Sequence, residues 1–538
     1  MVTSGVLTEP QPTVESDDPP LPVLPVAESD DLAVPETTRR RLAKWRDRDP
    51  LSWVYIAIVV LIGAALRLIN LAHPKGKIFD EVYYAIEGNS MLHHGVEWDV
   101  KVDNGVETVQ NSAKYVVHPP LGKWCIALGE WIFGYNEFGW RISAAVFGSI
   151  SILLVVIAAR RLFRSTLLGC AAGLLMAMDG LHLVLSRSAL LDVFLMTFLL
   201  AAFTCLVFDR DRRRERWLAA LESGLNPNRW GRAGRPRLGF PGWRLAAAFF
   251  VGCAGAVKWS AIWYLAVFLL LMMFWEVSTR RTAGVRMPWA DMTVTQMGWA
   301  VGFVAIAVGV YIASWAGWFA TDNGYFRHYL RDSGQHESPV FGTLYNLWHY
   351  HVTAWQFHVG LDSPHTYQSW PWQWLLLGRP VAFYWSNTGH CGGPSCAAEV
   401  LLLGTPLLWW SFMPALAGLT WLGISRRDWR AAAIGLCVAA GIIPWFWNML
   451  DARTMFFFYA LPAEPFLVLA VVYVLGAIIG PRQGPGVPPD RRLIGTIVAA
   501  AYMLLIAACF AYFYPIFVGT NLTYSQWFAR MWLGGRWI

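Results

Sequence analysis

The chain has 538 residues, 56% of them hydrophobic and only 15% charged, with a mean hydropathy of +0.39. Soluble domains carry charge on about a quarter of their residues, so this composition excludes an ordinary soluble globule and implies a membrane protein with many spans. The net charge of +7 does not argue for nucleic acid, because the basic residues lie in short loops between apolar runs, where the positive-inside bias accounts for them.

Residues 1–38 are rich in Pro, Val and acids and lack a basic start followed by an apolar core. They read as a disordered cytoplasmic tail, not a signal peptide. The tail is taken to residue 50, because the basic "RRRLAKWRDRD" runs into the first apolar stretch and sets the N-terminus inside. A span needs about 20 apolar residues. Eleven stretches qualify: 52–71, 140–159, 166–183, 189–207, 244–257, 260–275, 294–315, 401–424, 431–449, 455–479 and 493–516. Alternating from an inside start, the inner segments hold 28 of the 43 Lys and Arg, the asymmetry expected of a correct threading. Counting the short apolar "WCIALGEWIFG" (124–134) as a span would invert every later loop, so it reads as an interfacial or re-entrant helix. The expected organisation is an all-α polytopic protein with about 11 transmembrane helices. It comprises an N-terminal membrane module (51–315) with a first outer loop (72–139), a large outer loop (316–400), and a C-terminal membrane module (401–538) ending outside. No internal repeat is apparent, which disfavours a transporter of two related halves.

Six of the eight cysteines lie in apolar or membrane-edge segments and read as small buried hydrophobes. Cys391 and Cys396 share the loop "HCGGPSC". Outside the cell a disulfide fits them. Zinc fits less well, because His390 is the only further ligand nearby and zinc wants four.

The isolated charges of the outer segments are the candidates for chemistry. "KIFDEVYYA" sets Asp80 and Glu81 among apolar residues just past the first span. They read either as interfacial acids neutralised by Lys75 and Lys77 or as a partly desolvated general base with its neighbour. In "VVHPPLGKW", Pro119 and Pro120 stiffen the chain before a helix that holds Lys123 at headgroup level, with His118 as a second titratable group. Arg141 opens the second span and either snorkels or pairs with Asp80 or Glu81. Arg187 and Asp192, in "LSRSALLDVFL", read as a structural ion pair or as substrate contacts. Lys258 and Arg453 lie at further outer membrane edges, and with Lys123 they make three cations suited to a lipid phosphate or pyrophosphate. No Walker loop, dinucleotide fingerprint or H-E-x-x-H motif is present, which disfavours an ATP-driven pump or a membrane metalloprotease.

"FDEVYYA", "HPPLGKW", "GWRISAA", "SRSALLD" and "AGAVKWSAIWY" occur in the order seen in the protein O-mannosyltransferases, and the chain resembles a bacterial member of that family. The resemblance runs from the first span to the C-terminus. It implies a GT-C fold and transfer of mannose from a polyprenyl-phosphate mannose to Ser or Thr hydroxyls of secreted proteins, outside the plasma membrane. It makes Asp80 the base, Glu81 its supporting acid and Arg141 the family arginine of the second span. His118, Lys123 and Lys258 become site or phosphate contacts, with Arg453 among the cations for the donor. Residues 316–400 are too few for the β-trefoil MIR domains of eukaryotic members, so acceptor choice must work differently. No cofactor is required, although two outer carboxylates are compatible with a divalent cation. The alternatives are a GT-C enzyme that uses the same donor on a lipid or glycan, and a membrane transporter.

Overall fold

The computed structural model describes residues 34–43, 45, 49–103, 106–229, 231–480 and 490–538. Most of the expected N-terminal tail therefore lies outside the described residues. Within its last part Glu36–Leu42 is helical, and Leu42 is buried against Trp217 and Ala283.

Each of the eleven apolar stretches contains a helix. Among the described residues, eight helices are long and apolar enough to cross a membrane, including Glu137–Phe163, Asp192–Glu222, Trp429–Leu450 and Arg491–Val518. Ser52–Leu68, Thr166–Ala177 and Gly242–Gly255 are shorter. Local chemistry sets the ends. The Asn136 side chain accepts from the Phe138 and Gly139 amides at the start of Glu137–Phe163, satisfying donors that a helix leaves open. The stretch 166–183 breaks in two because Asp179 accepts from the His182 amide and starts a new short helix, Gly180–Leu185. The stretch 455–479 begins as a 3-10 turn, Phe457–Ala463, which carries Pro462, and continues as Glu464–Ile479.

The segment 124–134 lies in the helix Leu121–Phe133. Thirteen residues rise only about 20 Å, too little to cross a bilayer core of about 30 Å. Leu128, Trp131 and Ile132 are exposed while Lys123, Ile126 and Glu130 are buried. Burial pushes the Glu130 carboxyl up to about 8, so the group stays protonated at neutral pH and avoids the cost of a buried charge.

The all-α expectation needs one correction. Among the described residues the fold is mostly helical but has two small antiparallel sheets: a hairpin, Trp98–Asp103 with Val106–Ala113, and a three-stranded sheet of Val381–Ser386, Cys396–Leu402 and Leu522–Thr523. The physical reason is visible in "WDVKVD", where Trp98, Val100 and Val102 alternate with polar residues as in half-exposed strands, and in its Val- and Thr-containing partner "VETVQ". Leu401 and Leu402, expected in a span, are in a strand, and the helix starts at Pro406. Cys391 and Cys396 form a disulfide at the edge of this sheet.

Candidate active site

The site is built on the loop that leaves Ser52–Leu68. Phe79 has a left-handed backbone (φ 45°), which a bulky L-residue adopts only when its surroundings hold it there. Here its ring stacks on Phe383 at 4.5 Å and meets Phe456 and Phe458 edge-on. The next residue, Asp80, precedes the helix Glu81–His94 and does not use its side chain to cap it.

Asp80 and Glu81 face different surroundings. Glu81 is fully buried with Arg141. Arg141 Nε and Nη2 donate to its two oxygens at 2.8 Å, and the amides of Ile78 and Ala189 donate at 3.0 Å. Arg141 also donates to the carbonyls of Pro74 (2.7 Å) and Gly76 (2.9 Å). The pair thus ties the 71–81 loop to the second predicted span. Asp80 is half-buried, and among the described residues no hydrogen bond or ion pair engages its carboxylate. Burial raises its pKa from 3.8 to about 6, with nearby Lys258 opposing and Asp192 and Glu87 adding to the rise. Lys75 and Lys77 are not its counterions. They turn to Glu137 (3.8 Å) and Glu107 (2.5 Å).

Around Asp80 stand groups from distant parts of the chain. The Tyr84 ring lies 6.3 Å from His118, and His118 lies 5.3 Å from His358. Lys258 donates to both oxygens of Asp192 at 2.9 and 2.8 Å and faces the Tyr459 ring at 5.7 Å. Arg453 faces the same ring at 5.6 Å. It donates to the carbonyls of His358 (2.9 Å) and Thr454 (3.3 Å), and among the described residues it has no carboxylate partner. Burial and these cations hold His118 well below the ordinary histidine range and bring His358 down to about 4, so both imidazoles are neutral near pH 7. A carbonyl only accepts, so the 3.1 Å contact from His358 Nε2 to the Val117 carbonyl places the His358 proton on Nε2.

The segment with His118 is fastened from three sides. Tyr350 Oη donates to the Val116 carbonyl (2.7 Å) and accepts from its amide (3.1 Å), His358 holds Val117, and Lys123 Nζ donates to the His118 carbonyl (3.1 Å). Lys123 is fully buried and pairs with Glu97, with Glu87 at 3.8 Å. Gly122 allows a close approach. A Cβ there would lie 2.8 Å from Leu191 and 3.1 Å from Val257, the neighbours of Asp192 and Lys258. Arg187 does not pair with Asp192. It donates to the carbonyls of Arg67, Ile69 and Asn70 at 2.8–2.9 Å and closes the C-terminal end of Ser52–Leu68, where unpaired carbonyls favour a cation.

Two family descriptions match: dolichyl-phosphate-mannose-protein mannosyltransferase over residues 57–226, and the C-terminal four-transmembrane region of protein O-mannosyltransferase over 343–537. The polyprenol-phosphate-mannose–protein mannosyltransferase of Mycolicibacterium smegmatis is 39% identical over 496 residues, 89% of this chain and 92% of that protein. Its counterpart in Mycobacterium tuberculosis is 37% identical over 532 residues, 96% of this chain and 97% of that one. The chain belongs to the protein O-mannosyltransferase family. It is therefore a glycosyltransferase dependent on polyprenyl-phosphate mannose. The fold agrees: the S. cerevisiae protein O-mannosyltransferase Pmt1–Pmt2 complex bound to the sugar donor aligns with a TM-score of 0.67 at 14% identity, covering 93% of this chain and 94% of that one.

Within this mannosyltransferase, Asp80, His118, Lys258 with Asp192, and Arg453 come together. Glu81, Arg141, Lys123 and Arg187 lie behind them as fastenings. Sequence reasoning missed Tyr84, His358 and Tyr459. Among the described residues, no group of three or more His, Cys, Asp or Glu gathers in metal-binding geometry, and the Glu81 oxygens are already engaged by Arg141 and two amides.

Proposed function

We propose that the chain transfers mannose from polyprenyl-phosphate mannose to Ser or Thr hydroxyls of secreted polypeptides by one inverting displacement, with Asp80 as the base. The observation that carries this reading is the contrast between the two acids. Glu81 is locked by Arg141 and two amides. Asp80 is half-buried, unengaged and shifted to about 6, as a base working near neutral pH requires. As the hydroxyl oxygen bonds to the anomeric carbon, its proton passes to Asp80. The bond from that carbon to the phosphate oxygen breaks, and the electron pair leaves with the polyprenyl phosphate. Arg453 is the cation best placed for that phosphate, because its neighbours are carbonyls and rings and no acid neutralises it. Lys258 offers its remaining N–H beside it. Neutral His118 supplies a hydrogen bond without a buried charge. Lys123, ion-paired and buried, positions the His118 carbonyl and does not contact donor.

The charge bias of the loops supports a cluster on the extracytoplasmic side of the plasma membrane, where translocating polypeptides emerge. The test is transfer from labelled polyprenyl-phosphate mannose by the purified protein, offered a Ser/Thr-rich peptide and a glycolipid together. Label in the peptide is expected. Label in the glycolipid alone would overturn the acceptor assignment.

A further inference from the structure

At the face opposite the catalytic cluster, the ends of six helices line a cavity of about 260 Å³. Glu137–Phe163 and Trp429–Leu450 each reach the catalytic cluster at one end and this cavity at the other. At 1.5 Å per residue the first puts about 40 Å between the two.

Four arginines from three segments converge on the cavity: Arg164, then Arg426 and Arg430 on either side of one turn, and Arg492. Arg430 is matched by Asp428 at 2.6 Å, and Tyr473 donates to the same carboxylate (3.2 Å). The other three have no carboxylate partner among the described residues. Arg164 sits in a left-handed turn (φ 54°) that ends Glu137–Phe163 and leaves it at the rim. Arg491 closes the C-terminal carbonyls of Glu464–Ile479 by donating to Ile478 (2.5 Å) and Ala477 (3.4 Å), which leaves Arg492 to the cavity. The wall beside them is apolar, formed by Phe163, Leu167, Leu168 and Ile479. Loop arginines that only oriented the chain would be spread around the headgroup level. Here like charges gather in one recess with an apolar side, an arrangement that gains from an anion between them.

We infer that this recess is a binding site for a phosphate ester anion, filled by the headgroup of an anionic phospholipid of that leaflet. The arginines take the phosphate oxygens and the apolar wall takes the start of the acyl chains, the chemistry of basic pockets between membrane helices. The site is separate from the donor site and holds a lipid that is not consumed.

The experiment follows the thermal midpoint of the full chain in neutral detergent on titration with phosphatidylglycerol, phosphatidylcholine or inorganic phosphate. Phosphatidylglycerol alone is expected to raise the midpoint. Affinity is expected to fall about fivefold for each of Arg164, Arg426 and Arg492 changed to Ala. The lysine variants R164K, R426K and R492K should keep part of the shift and ensure a folded comparison. Native mass spectrometry of the wild-type chain with equimolar phosphatidylglycerol and phosphatidylcholine should show phosphatidylglycerol retained. An equal shift with phosphatidylcholine, or a shift that survives the triple alanine variant, would overturn the site. A shift reproduced by inorganic phosphate would overturn the lipid as its occupant.

Discussion

The Glu81 carboxylate accepts two charged hydrogen bonds from Arg141 and two from backbone amides, and both side chains are 0% exposed. Removing one partner of such a pair strands the other and costs about 3–5 kcal/mol. R141A should therefore lower the thermal midpoint markedly, as measured by scanning fluorimetry. The Asp80 carboxylate holds no such bonds, so D80N should leave the midpoint within a degree or two. Its pKa supplies a second, kinetic expectation. A base must be ionised to work, and burial has moved this one from 3.8 to about 6. Below pH 6 the protonated form dominates and transfer should fall about tenfold per pH unit. Above it the single-turnover rate should reach a plateau. At Arg453, loss of charged hydrogen bonds to phosphate, about 1.5–3 kcal/mol, should weaken donor binding in R453Q by about 10–100-fold, read by titration with polyprenyl phosphate.

At the level of elements, the helix Phe341–Val359 fastens Val116 and Val117 through Tyr350 and His358, and the Leu121 amide donates to the Ala256 carbonyl at 3.1 Å. The site is thus held by long-range contacts between helices and loops, and Gly122 lies at a tight one. G122A should force Leu191 and Val257 apart, cost about 1–3 kcal/mol as overpacking does, and lower the transfer rate by displacing Lys258. These contacts also explain what could be read without coordinates. Apolar length located the helices, and "FDEVYYA" with "HPPLGK" pointed to the candidate site. The partners were out of reach. Arg141 had two adjacent acids to choose from, and only the turn at Phe79 decides for Glu81. Arg187 and Asp192 are close in sequence but diverge, because the helix Asp192–Glu222 starts at Asp192 and turns it to Lys258. Lys123 looked like a headgroup cation because its acids, Glu87 and Glu97, come from another helix and the approach to the hairpin. His358 carried no local signal beyond a stretch rich in His, Trp and Tyr. The hairpin did carry one, since Asn-Gly at 104–105 directly after the alternating run "WDVKVD" is a strong hairpin pattern.

Across the whole molecule, membrane helices carry the proposed catalytic cluster at one face and an arginine-lined recess at the other. Among the described residues, the Phe341–Val359 helix and a small sheet close over the cluster. Polypeptide acceptors would then meet a surface made by the core fold itself. The assignment of Asp80 as base is tested most directly by single-turnover mannosyl transfer to a Ser/Thr-rich peptide at pH 7.5, comparing wild type with D80N at saturating donor. A general base contributes at least about 100-fold. The rate should therefore drop by that factor or more while donor affinity and thermal midpoint hold. A D80N enzyme that transfers mannose at the wild-type rate would contradict the base role.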